Sequence, residues 1–161
     1  MVDPEYFIIE NFLTPEACDM LIEHVPTGHT ASVLDLNTPI KDKAKRDTQL
    51  TFLEPDSMVG LVYMYAAKKI NEELNWNFNI TSVESIQRQR KISFSVALNS
   101  PNEYEGGEFI VYPMANPDGV PLKLPKGDAV VFPSFLCHEA SVIKEGTRYS
   151  STAWIQGENW R

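Results

Sequence analysis

Leu124-Pro125-Lys126-Gly127-Asp128-Ala129-Val130-Val131-Phe132-Pro133-Ser134-Phe135-Leu136-Cys137-His138 holds the pattern that decides the fold. Pro125 to Asp128 is turn chemistry, Ala129 to Phe132 is an apolar run of strand length, and Pro133-Ser134 ends it. A histidine follows where the strand emerges. The same alternation of short apolar runs and turn residues extends on both sides. Phe78-Asn79-Ile80, Ile92 to Leu98, Phe109 to Tyr112 and Tyr149 to Ile155 read as strands. Asn99-Ser100-Pro101-Asn102, Glu105-Gly106-Gly107, Asn116-Pro117-Asp118-Gly119 and Lys144-Glu145-Gly146 read as the turns between them. Several short strands at regular spacing imply a β-sandwich or jelly roll.

Upstream the period changes. Tyr6 to Ile9 is a short β-rich run, and Thr14 before Pro15 is a helix start, with Thr as cap and Pro at the first helical position. Ala17, Met20, Leu21 and Val25 give the helical rhythm, which ends near Pro26 and Gly28. A second helix is predicted from Pro55-Asp56 onward, where Met58, Val59, Val62, Tyr63, Ala66, Ala67, Ile70 and Leu74 form a stripe suited to packing on a sheet. The chain therefore reads as mostly β with flanking α-helices. Its 161 residues fit one domain, 1–161, helical over about 1–76 and jelly roll over about 77–157.

Composition excludes several classes. A hydrophobic fraction of 43% and a charged fraction of 22% belong to a globular chain, and no apolar run approaches the roughly 20 residues that cross a bilayer. Acids in Met1 to Glu5 argue against a secretory signal, so a cytoplasmic location is expected. A net charge of −8 opposes nucleic acid and anionic membrane as partners. The basic cluster Lys41, Lys43, Lys45 and Arg46 reads as a solvated loop. Two cysteines, Cys18 and Cys137, make no disulfide framework, and both are expected reduced.

His138 and Arg148 are the candidate site. Imidazole is a common ligand of first-row metals, and a guanidinium fork suits a carboxylate. A lone histidine is more often a structural hydrogen-bonding group, and a lone arginine here would ordinarily pair with Glu145 or Glu139. A hairpin of Ala140–Lys144 with Arg148–Thr152 around a three-residue loop would bring both to the inward face, with Ser150 beside Arg148. His138 would then stand six residues, roughly 20 Å at strand rise, from Lys144, leaving room for a metal and a five-carbon diacid. Cys137 points to the opposite face from His138 and reads as a core cysteine. His24 and His29 read as surface residues, and Trp154 and Trp160 as packing groups. One junction is anomalous: from Ser85 to Leu98 nothing turns the chain, so a single strand would exceed the roughly 3–10 residues usual.

Arg90-Lys91-Ile92-Ser93-Phe94-Ser95-Val96-Ala97-Leu98-Asn99, Tyr104-Glu105-Gly106-Gly107-Glu108-Phe109, Leu124 to Ser134, His138, and Gly146-Thr147-Arg148-Tyr149-Ser150 to Trp154 resemble the prolyl 4-hydroxylase-like Fe(II)/2-oxoglutarate dioxygenases, especially bacterial and phage PKHD-type members. Phe7 to Cys18 is similar to that family's opening. The resemblance implies a double-stranded β-helix, His138 as the second metal histidine, and Arg148, supported by Ser150, on the remote carboxylate of 2-oxoglutarate. No catalytic residue beyond the metal ligand is implied. It also implies Fe(II), O2, ascorbate as a candidate accessory, and hydroxylation of a C–H bond in a peptide or small molecule, peptidyl proline among them, with succinate and CO2 as coproducts. The alternative is a noncatalytic jelly-roll binding protein.

The chain departs from the family at the His-x-Asp ligand pair, which belongs between a strand ending at Ile86-Gln87 and one beginning near Arg90. Only Arg88 and Gln89 intervene, and the residues two positions after the three histidines are Pro26, Ala31 and Ala140. The favoured account is a segment absent between Gln87 and Arg88; the other is a true deletion in an inactive relative.

Overall fold

The computed structural model describes residues 5–24, 29–30, 33–35, 38–40, 49–51, 53–83 and 90–158, with backbone alone at residue 24 and from 29 to 50. The basic cluster at 41–46, Trp160 and the Gln87–Arg88 junction lie outside them, as do the ends expected for the first helix at Pro26 and Gly28. So do the side chains of His24 and His29.

The chain opens with β1 (Phe7–Ile9) and α1 (Pro15–His24). Thr14 Oγ1 accepts the Ala17 N–H at 3.2 Å, so the threonine caps α1 as its position predicts. Two short ribbons follow, β2 (His29–Thr30) with β5 (Gln49–Leu50) and β3 (Val33–Asp35) with β4 (Thr38–Ile40). The next helix, α2 (Met58–Glu73), starts two residues later than Asp56, because Ser57 is its cap and takes the Gly60 N–H on Oγ at 3.2 Å.

The strands β6 (Ile80–Val83), β7 (Arg90–Ala97), β8 (Tyr104–Gly106), β9 (Phe109–Tyr112), β10 (Val120–Leu122), β11 (Ala129–Pro133), β12 (Cys137–Ala140), β13 (Ile143–Gly146) and β14 (Ser150–Gly157) complete the chain. A five-stranded sheet runs β1-β11-β7-β14-β6, and a three-stranded sheet runs β10-β9-β12. The amino-terminal part is thus not only helical, since β1 edges the large sheet against β11. The architecture is the expected one, mostly β with two helices on one face.

Each face of the large sheet has its own core. Ile92, Phe94, Val96, Ala153 and Ile155 pack under the helices with Cys18, Tyr63, Ala67 and Ile70. Phe12, Tyr63 and Phe94 form a ring cluster there, with centroids 5.2 to 5.7 Å apart. The α2 stripe is narrower than predicted: Tyr63, Ala67 and Ile70 are buried, but Met58 is 82% exposed. Ala97, Val130 and Phe132 face the other way and meet Phe109 and Val111 of the small sheet. Residues opposite one another in a ladder share a face, so Ser150, paired with Ala97, and Thr152, paired with Ser95 opposite Val130, also look into the space between the sheets.

Among the described residues β7 begins at Arg90. It and β6 both pair antiparallel with β14, one on each side, so they run parallel to each other. The sequence allots only residues 84–89 to their connection, whereas parallel strands ordinarily need a crossover of about a dozen residues or more. The hairpin expected between residues 140–144 and 148–152 is corrected: β13 pairs with β8, and β14 enters the large sheet between β7 and β6, where its alternating apolar face fits.

Candidate active site

His138 sits on β12 opposite Val111, which is fully buried, so its imidazole lies on the inter-sheet side. Its ring centroid is 4.7 Å from that of Phe132 and 5.7 Å from that of Phe109, one aromatic from each sheet. Nδ1 lies 2.8 Å from the Leu136 carbonyl. A carbonyl only accepts, so this bond puts the proton on Nδ1 and leaves the lone pair on Nε2, the arrangement a metal-ligating histidine uses.

Arg148 precedes β14. Its Nη1 donates to Ser150 Oγ at 3.4 Å, which draws the guanidinium to the face that Ser150 shares with Ala97. Its stem passes Gly107, where an added Cβ would stand 3.3 Å from Arg148 Cδ. Among the described residues Arg148 makes no ion pair, and Glu139 instead accepts from the Tyr112 hydroxyl at 2.6 Å. The fork is left with donors to offer an anion.

Cys137 points outward opposite Tyr112 and is exposed, which corrects its reading as a core residue: β12 is the edge of the small sheet. Trp154 carries the Arg90 guanidinium over its ring at 3.8 Å, and burial lowers that arginine's pKa from its ordinary value. Ser93 and Ser134 join through their hydroxyls at 2.9 Å.

The sequence reading missed Asn99, filed among turn residues. Its buried amide donates from Nδ2 to the Thr147 carbonyl at 2.9 Å and accepts the Tyr149 N–H on Oδ1 at 2.8 Å. Its place at the end of a strand, before Pro101, carried no signal of a partner 48 residues on.

Among the described residues no three His, Cys, Asp or Glu side chains gather as a metal-binding group. Among the described residues the site offers a carboxylate partner at Arg148 and one metal donor at His138.

The chain belongs to the 2OG-Fe(II) oxygenase superfamily, whose family model matches residues 62–156. Over 70 residues it is 40% identical to a PKHD-type hydroxylase of Acinetobacter baumannii, a stretch that covers 44% of this chain and 30% of that protein. Over 65 residues it is 37% identical to a PKHD-type hydroxylase of Picosynechococcus, covering 40% of this chain and 29% of that one. The match thus spans about 30% of the length of these curated relatives. In fold it is similar to a viral collagen prolyl hydroxylase from Paramecium Bursaria Chlorella virus-1, solved as a 2OG complex, with a TM-score of 0.61 and 20% identity over 97% of both chains. A prolyl-4-hydroxylase of Pseudomonas putida gives a TM-score of 0.61 and 15% identity over 96% of this chain and 94% of that one. A prolyl hydroxylase of Trichoplax adhaerens, in complex with a hypoxia-inducible-factor peptide fragment, gives 0.55 and 15% over 95% and 84%.

Proposed function

We propose that the protein serves as a 2-oxoglutarate-dependent hydroxylase, oxidising a C–H bond with succinate and CO2 as coproducts. The observation that carries this reading is that His138 and the Arg148–Ser150 pair open on the same inter-sheet space. In it, the Arg148 fork donates two N–H groups to the remote carboxylate of the diacid, with the Ser150 hydroxyl as a further donor. His138, held by Leu136 and the two phenylalanines, would offer Nε2 to Fe(II). Phe132, Phe109 and Val111 form the apolar core on which the imidazole rests. A peptide-borne target, peptidyl proline among them, is favoured by the kinship in fold with a prolyl hydroxylase that binds a peptide. Ascorbate is a candidate accessory reductant, and the cytoplasm the proposed setting; no described helix is long and apolar enough to cross a membrane.

A second reading is a jelly-roll protein that binds the diacid at Arg148 without an iron centre, since the described residues gather no group of three metal donors. Anaerobic titration with Fe(II) and 2-oxoglutarate separates the two. The hydroxylase gives a weak visible absorption band and, on admitting O2, succinate. The binder takes up 2-oxoglutarate, loses it on Arg148→Ala, and forms no succinate.

A further inference from the structure

We infer that Asn99 is a positioning residue for Arg148 and, through it, for the remote carboxylate of the diacid; the inference rests on the carboxylate-binding role proposed for Arg148. Asn99 is the second residue past β7 and is 4% exposed. Its two bonds, to the Thr147 carbonyl and from the Tyr149 N–H, grip the main chain on both sides of Arg148. The neighbouring Leu98 N–H adds a third tie, to the Tyr149 carbonyl at 3.0 Å. Glu103 steadies the grip: its Oε1 accepts the Ser100 N–H at 2.8 Å, and its Oε2 lies 3.5 Å from Asn99 Nδ2.

The residue type follows from the geometry. One planar group must donate to a carbonyl and accept from an N–H two residues later, which an amide does and a carboxylate cannot. Glutamine would carry the same amide one methylene too far. Arg148 itself has little to hold its head: the long bond to Ser150 and the passage beside Gly107. The head lies at the end of a flexible side chain, so a small rotation of the main chain at residue 148 displaces it from the position where two N–H groups meet a carboxylate. Fixing residues 147 and 149 fixes that aim.

The test is 2-oxoglutarate binding to the whole chain, followed by calorimetry with Mn(II) present and absent, for Asn99→Ala, Asn99→Asp, Arg148→Ala and the Asn99→Ala/Arg148→Ala pair. Protein labelled with 15N-arginine reports the Arg148 Nε–H independently of any turnover. Asn99→Ala is expected to weaken 2-oxoglutarate about tenfold and to shift and broaden that resonance. Asn99→Asp, which keeps the bond from Tyr149 but cannot donate to Thr147, weakens it too. In the Arg148→Ala background the Asn99 change adds nothing, because the two act as one unit. Unaltered affinity in Asn99→Ala, or an equal loss with and without Arg148, overturns the inference while leaving the role of Arg148 intact. Unaltered affinity in Arg148→Ala removes that role and the inference with it.

Discussion

Gly107→Ala is the substitution in which backbone conformation and ligand affinity meet most directly. Gly107 has φ of 66°, and an added Cβ would lie 3.0 Å from Ile143 Cγ1, 3.3 Å from Arg148 Cδ and 3.4 Å from Tyr104 Cε2. Placing an L side chain in the left-handed region costs about 1–2 kcal/mol. The contacts add little to this, since each is with a side chain that yields by tenths of an ångström, but the one that yields toward the ligand is Arg148. Gly127→Ala supplies the contrast. There φ is 92°, and the new Cβ would stand 2.3 Å from the Leu13 carbonyl oxygen, main chain that cannot swing aside. Relief breaks the Leu13 N–H bond to the Gly127 carbonyl, 3.0 Å long. With the strain, the loss comes to about 2–5 kcal/mol. Urea unfolding at constant slope measures both losses, and calorimetry with 2-oxoglutarate measures the ligand effect. Gly107→Ala is expected to lose less stability and weaken the diacid; Gly127→Ala is expected to lose more and bind it normally. The reversed order of stability losses, or unaltered binding in Gly107→Ala, refutes the packing of the Arg148 stem on Gly107.

Three further outcomes follow from the same structure. Under native conditions a maleimide should modify Cys137 and spare Cys18, which is buried and whose thiol burial pushes above its ordinary pKa; mass spectrometry of the labelled chain decides it. Tyr63→Phe removes the hydroxyl bond to Ser151 Oγ, 2.8 Å, and should lower stability by about 0.5–1.5 kcal/mol, while Tyr63→Ala also empties the ring cluster with Phe12 and Phe94 and should lower it by about 3–5 kcal/mol in denaturant titrations. The Glu108 carboxyl is held below its ordinary pKa, chiefly by the Ser141 hydroxyl and then by its own main-chain bond. A depressed carboxyl stabilises the fold above its ordinary pKa and loses that contribution as pH falls through the lowered one. Ser141→Ala should therefore raise the Glu108 pKa in a carboxyl NMR titration.

The fold was legible wherever strand chemistry is local. Phe109–Tyr112 and Ala129–Phe132 stand within a residue of their predicted bounds, and Thr14 caps the helix it announces. The short strands β8 and β10 were not legible as strands, because three residues of mixed polarity become β only when a distant partner arrives, as Ile143 does for Gly106. The hairpin failed for the same reason: Gly146 looked like a hairpin tip, but the neighbours of β13 and β14 are β8 and β7, 37 and more residues away in sequence. His138 and Arg148 were visible by residue type, their shared face by none of it. Asn99 was invisible, since a side chain that binds main chain far away leaves no periodic trace.

The position of β14 bears on how the molecule is made. It is the latest described strand in the sequence, yet it lies between β7 and β6 in the large sheet. A ribosome delivering the chain from its amino end therefore supplies this interior strand after both of its neighbours. Until residue 157 has emerged, β6 has no strand partner among the described residues, β7 exposes one whole edge, and Ser150 is not yet held beside Arg148. The sheet closes last at an interior position, and shortening the chain by a few residues within this strand would harm it far more than trimming β1 at the rim.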